Sequence, residues 1–234
     1  MTPVAAASSV TPEIVTPNAL RRFLLYCGVV SPLIYIGADV LAAMRWANYS
    51  YTSQTVSELM AIGAPSRPLI VAAFAAFGAL SIAFGAGVCF ASAGRRSLQI
   101  TSVLFIIHHV AGLIGCVLFP IHMRGSKGTL SDTMHIIITA ALVLLMLLYM
   151  AFGSMAAGAK FRWYSITTMG LLMLFRALAG MQGPNLASNL PTPWLGVEER
   201  INIYASLLWT VVFAFFLLRE EKSGKMLAAI HASR

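Results

Sequence analysis

Thr133-Met-His-Ile-Ile-Ile-Thr-Ala-Ala-Leu-Val-Leu-Leu-Met-Leu-Leu-Tyr-Met-Ala-Phe-Gly-Ser154 is a run of 22 residues without a single Asp, Glu, Lys or Arg. As a helix rising about 1.5 Å per residue it reaches roughly 33 Å, enough to cross the ~30 Å hydrocarbon layer of a bilayer. Five runs of similar character flank it: 98–119 and 164–181 on either side, then 69–91 and 201–218, then 23–44. Gly and Pro punctuate the gaps, as in Gly63-Ala-Pro65, Gly183-Pro184 and Pro191-Thr-Pro193. The pattern predicts an all-α fold, a six-helix transmembrane bundle. Pro32 lies inside the first run and should kink it, which membrane helices tolerate when neighbours satisfy the freed carbonyl.

Composition agrees. Of 234 residues 59% are hydrophobic and 10% charged, whereas a water-exposed surface needs about 25% charged residues. A chain of this length forms one bundle rather than several domains. Residues 1–20, rich in Ala, Ser, Thr and Pro, are expected to be a disordered cytoplasmic N-terminus, 21–219 the transmembrane domain and 220–234 a cytoplasmic tail. The run at 23–44 is too long for a signal peptide core of about 7–15 residues and has no A-x-A site after it. Cys27, Cys89 and Cys116 all sit in apolar runs without metal or redox spacing, so they read as free thiols.

Orientation follows from Lys and Arg. One side holds ten: Arg21, Arg22, Arg95, Arg96, Lys160, Arg162, Arg219, Lys222, Lys225 and Arg234. The other holds five: Arg45, Arg67, Arg124, Lys127 and Arg200. The bias places both termini in the cytoplasm of a protein of the plasma (cytoplasmic) membrane, with Trp163 near the inner boundary and Trp46 and Trp194 near the outer one. The net charge of +8 is scattered over short connectors with no basic, aromatic-interleaved patch, which argues for membrane lipids and against nucleic acid as partners. The sequence leaves the oligomeric state open.

With that topology the polar residues gather on the extracytoplasmic side, in connectors 45–68, 120–132 and 183–200. Asp132 and His135, at i and i+3 on the opening turn of the fourth helix, share a face. With Ser131 as the expected N-cap, the pair suits proton transfer or a metal-bound water. Glu58 joins them as the third candidate catalytic residue. Ser57 has no G-x-S-x-G elbow and is placed with the ligand-binding candidates Asp39, His109, Arg176, Glu199 and Arg200. Arg176 is the most informative. It lies twelve positions into its run, and a charge at lipid depth costs roughly 2.5–3.5 kcal/mol unless it meets a partner or water. Asp39 and Glu199 are its expected counter-charges, and Arg176 or Arg200 would hold a phosphate or carboxylate. His108 and His109 diverge by about 100°, so only one, His109, is expected to face the interior. His108, His109, His122 and His135 allow a metal ion but show no metal-binding spacing; a hydrogen-bonded His/Asp pair without metal is the preferred reading.

Thr55-Val-Ser57-Glu58-Leu59 with Gly63-Ala-Pro65, Leu118-Phe119-Pro120 followed by Asp132 and His135, and Gly196-Val-Glu-Glu199-Arg200 together resemble a family of membrane proteins, domain of unknown function 998. The resemblance spans the first helix to the sixth and implies a six-helix bundle without naming an activity. Where the family tends to place Gly after its Ser-Glu-Leu, this chain has Met60. A more distant similarity to membrane proteins of glycolipid-anchor remodelling points towards lipids.

Three functions fit these residues. The first is an enzyme acting on a lipid or lipid-linked substrate in a polar cavity open to the extracytoplasmic side. The second is a transporter or sensor with an intramembrane proton or ligand site, and the third a non-catalytic accessory subunit whose buried charges lock the bundle. Few ionisable residues lie in the inner halves of the helices, which counts against alternating access.

Overall fold

The computed structural model describes the backbone of residues 17–232 and the side chains of 18–220. The disorder expected for the N-terminus concerns residues 1–16, which lie outside the described residues; Pro17 to Leu20 already belong to the first helix. Eight helices follow in order: α1 Pro17–Met44, α2 Val56–Leu59, α3 Arg67–Ala91, α4 Arg96–Leu118, α5 Leu130–Met155, α6 Ala159–Met181, α7 Gly183–Ala187 and α8 Leu195–Ala232. No strand accompanies them among the described residues. Six of these helices (α1, α3, α4, α5, α6 and α8) contain a stretch long and apolar enough to cross a membrane. The protein is an all-helical, multi-pass membrane protein.

Several helices begin earlier than hydropathy predicts. Helix α8 starts at Leu195, taking in Glu198, Glu199 and Arg200, and α6 starts at Ala159. Hydropathy trims a helix at its first charges, whereas the backbone continues wherever those charges find partners. Helix α5 starts at Leu130, and its N-cap is Thr129, not Ser131. Thr129 and Asp132 form a reciprocal capping box, satisfying two donors that the first turn leaves open. Ser131 instead donates to the carbonyl of Pro120 at 2.7 Å.

The six long helices close into a ring in which α1 packs on α3, α3 on α4, α4 on α5, α5 on α6, α6 on α8 and α8 on α1. The seam between α5 and α6 is the loosest. The outer surface keeps large apolar side chains exposed, among them Phe90, Ile136, Leu144, Met173 and Leu174, as hydrocarbon solvent requires. Inside are two cores. One, around Leu25, Phe84, Phe105, Phe161, Trp209 and Phe213, fills the half of the bundle near the short connectors. Its Trp209 donates to Ser165 Oγ at 2.8 Å, so the indole N–H is not left bare. The other, around Tyr35, Val56, Leu59, Ile70 and Leu207, lies beneath the long connectors. All three cysteines are free thiols.

Candidate functional site

The long connectors meet at one end of the ring, and buried ion pairs hold them there. Asp39 on α1, 0% exposed, receives both Nε and Nη2 of Arg200 on α8 at 2.9 Å each. Arg200 spends its remaining donors on the carbonyls of Tyr51 (2.8 Å), Gln54 (3.0 Å) and Gly196 (3.2 Å) and on the Tyr49 hydroxyl (2.7 Å). Its guanidinium lies 3.6 Å from the centre of the Tyr51 ring. Tyr51 and Tyr204 donate their hydroxyls to Asp39. Burial pushes the Tyr49 and Tyr51 phenols up from their ordinary pKa, so both stay protonated donors. Arg200 therefore has no donor to spare for a ligand, and Asp39 pairs with it rather than with Arg176.

A second pair joins all three connectors. Arg124 grips Glu58 through Nε (2.9 Å) and Nη2 (3.0 Å), while its Nη1 donates to Thr192 (2.7 Å). Glu58 also closes the capping box of α2, accepting from the Thr55 N–H at 2.8 Å. Asp132 is likewise committed: it accepts from the His122 N–H at 2.8 Å, the His122 ring at 3.1 Å and Thr129. It makes no hydrogen bond with His135, whose ring nitrogens face Phe119 and Ser57. Glu58 and Asp132 thus hold chain segments together; their lone pairs are already used.

The remaining candidates converge. A cavity of about 240 Å³ opens inside the ring between the two cores, and Ser57, His135, Arg176 and Glu199 line its end beneath the connectors. His135 Nδ1 faces the carbonyl of Phe119 at 3.0 Å, and a carbonyl only accepts, so Nδ1 carries the proton. That leaves Nε2 as the acceptor for the Ser57 hydroxyl, 3.3 Å away. Glu199 accepts the Val56 N–H, which seats α2 on α8, and its Oε1 lies 3.5 Å from Ser57 Oγ. The orienting partner of His135 is thus a carbonyl in place of the expected Asp132.

Arg176 is the one α6 residue lining this cavity. It stands five positions before the end of α6 at Met181, the same end that hydropathy gives this run. Among the described residues it makes no hydrogen bond or salt bridge with the expected Asp39 or Glu199, although Glu199 shares the cavity with it and attracts it without contact. Deeper in, His108 and His109 both border the cavity, although adjacency predicts that only one would. Their rings, 4.8 Å apart between centroids, reach its wall from either side. No group of three or more His, Cys, Asp or Glu that could hold a metal ion exists among the described residues, so the histidines are not gathered as a metal site would need. Sequence reasoning counted Arg124 only towards topology and passed over Ser31, Ser81 and Asn202, which also line the cavity. Each lies in an apolar run, where a single polar residue carries no signal of direction.

Fold and site together define a multi-pass membrane protein with an interior cavity bordered by a hydroxyl, an imidazole, a carboxylate and an arginine. Over residues 29–215 the chain matches the family described as Protein of unknown function (DUF998), and it belongs to that family. No curated protein and no solved structure matches it.

Proposed function

We propose that the protein is a membrane enzyme acting on a lipid or lipid-linked substrate that carries an anionic group. One observation carries this reading: the Ser57 hydroxyl lies 3.3 Å from His135 Nε2 in the same cavity that Arg176 borders without a hydrogen bond or salt bridge among the described residues. Glu199 attracts the Arg176 guanidinium across the cavity without contacting it, and N–H donors left unbonded at a membrane cavity are favourable only if water or an anion meets them. In this reading Arg176 binds the phosphate or carboxylate of the substrate. Ser57 attacks a carboxylic ester carbonyl as His135 takes its proton, the C–O bond breaks and His135 returns the proton to the departing alcohol, and water then releases the acyl group from Ser57. The mostly apolar cavity wall receives the hydrocarbon part, and the loose α5–α6 seam, which Arg176 flanks, gives lipid a lateral way in. The Lys and Arg bias supports a site facing away from the cytoplasm.

Lipid extracts of cells producing the wild type, Ser57→Ala, His135→Ala or no protein are compared by mass spectrometry. The expected result is one anionic lipid class altered by the wild type alone. A profile unchanged by the wild type, or changed equally by Ser57→Ala, would contradict the enzyme reading.

A further inference from the structure

The cavity continues past its polar mouth, and the deeper part is not simply hydrocarbon. His108 Nδ1 faces the carbonyl of Leu142 at 3.0 Å, and His109 Nδ1 that of Phe105 at 2.9 Å. Each of those carbonyls accepts the ring N–H, so in the neutral imidazole Nε2 is the lone-pair nitrogen. Neither Nε2 has a partner among the described residues. Three more polar atoms on the lining are buried without a partner: Ser31 Oγ, Ser81 Oγ and Asn202 Oδ1, in residues 0%, 1% and 7% exposed. Native interiors pair nearly all such atoms, and membrane bundles have no bulk water to do it for them. Five atoms without a partner, on residues of α1, α3, α4 and α8 that line the cavity, therefore lie around it.

We infer that this layer is a second subsite, for a hydroxyl on the apolar body of the molecule whose anionic group sits at Arg176. The inference rests on the anion-binding part of the proposed function. Two imidazole nitrogens and an amide oxygen call for a donor, while the two serines can donate or accept; a hydroxyl does both. An ionised group is disfavoured there, because the only charged residues on the lining among the described residues, Arg176 and Glu199, stand at the mouth. The walls between are aromatic, with Tyr35, Phe74, Phe77 and Phe105, and suit a chain with no other polar atom. Counting about 1.5 Å per residue from the helix ends, Arg176 lies roughly 8 Å in, His109 roughly 14 Å, and Ser31 and Ser81 roughly 20 Å. The hydroxyl thus falls about 6–12 Å beyond the anion, within the span of a ten-carbon chain.

The test is calorimetric titration of the full chain in lipid nanodiscs with decanoate and with 10-hydroxydecanoate, against empty nanodiscs. The hydroxy acid should bind about tenfold tighter, the order expected of one hydrogen bond to buried acceptors. His109→Leu should abolish that preference and leave decanoate affinity within about twofold, whereas Arg176→Leu should weaken both acids. The double variant Ser31→Ala/Ser81→Ala should lower the preference as well, and serves where His109→Leu fails to fold. Equal affinity for the two acids, as a water-filled layer would give, overturns the second subsite and leaves the anion reading standing. So does a preference that survives in the variants. Failure of both acids to bind removes the anion site, and the second subsite with it.

Discussion

Arg200 and Arg176 carry the same charge in opposite circumstances. Arg200 is 3% exposed, and both edges of its guanidinium are bonded to Asp39, Tyr49 and three carbonyls. Removing one member of such a buried pair strands the other in a medium that cannot solvate it. Arg200→Leu is therefore expected to cost about 3–5 kcal/mol, with Arg200→Leu/Asp39→Leu recovering much of the loss. Denaturation in detergent micelles checks both. Arg176→Leu should leave that stability within about 1 kcal/mol, because it breaks no hydrogen bond or salt bridge and removes only the attraction to Glu199 across the cavity. The sequence singles out Arg176 because a charge in an apolar run is conspicuous whatever the fold, and the fold places it on the cavity wall. Of the two counter-charges the sequence suggests, Glu199 shares the cavity with Arg176, whereas Asp39 is taken by Arg200. Asp39 is within reach of either arginine until the connector between Met44 and Thr55 folds over α8. Only the fold shows that Tyr49 and Tyr51 close around Arg200.

At the scale of elements, the short helix α2 and the first turn of α8 position the site, and one glycine sets how closely they approach. Gly196 N–H donates to the Thr52 carbonyl at 2.9 Å. A Cβ at Gly196 would stand 2.6 Å from the Tyr51 oxygen and 2.9 Å from the Thr52 oxygen, and would also strike that of Gln54. These are main-chain atoms that cannot swing aside. Gly196→Ala should push α8 off the connector, loosening both the Arg200 lock and the seat of Glu199 on Val56. The expected loss is about 1–3 kcal/mol, as for overpacking elsewhere, read as a lower thermal midpoint. The six long helices are legible in the sequence because length and apolarity suffice to identify a span. Their ends are not, since a helix end is set by which side chain reaches which backbone group. Asp132 illustrates this: beside His135 in sequence it looks like a catalytic partner, yet three positions after Thr129 it closes a capping box and turns towards His122.

Across the whole molecule, the ring of six helices places every long connector at one end and the short ones, 92–95 and 156–158, at the other. From the Lys and Arg bias we propose that the short ones face the cytoplasm, which labelling tests. In a background lacking Cys27, Cys89 and Cys116, Ser126→Cys and Ser188→Cys should react with a membrane-impermeant thiol reagent in intact cells, and Ala159→Cys should not. All three positions are exposed, so reactivity reports sidedness rather than burial. The reverse pattern would turn the cavity mouth towards the cytoplasm. The central claim, that the cavity receives an anionic amphiphile through Arg176, is tested most directly by mass spectrometry of the lipids that copurify with the protein. The wild type and Ser57→Ala should retain a defined anionic lipid at near-stoichiometric amount, and Arg176→Leu, folded to the same stability, should lose most of it. The same lipid retained equally by Arg176→Leu, or no anionic lipid enriched over the bulk membrane in the wild type, would contradict it.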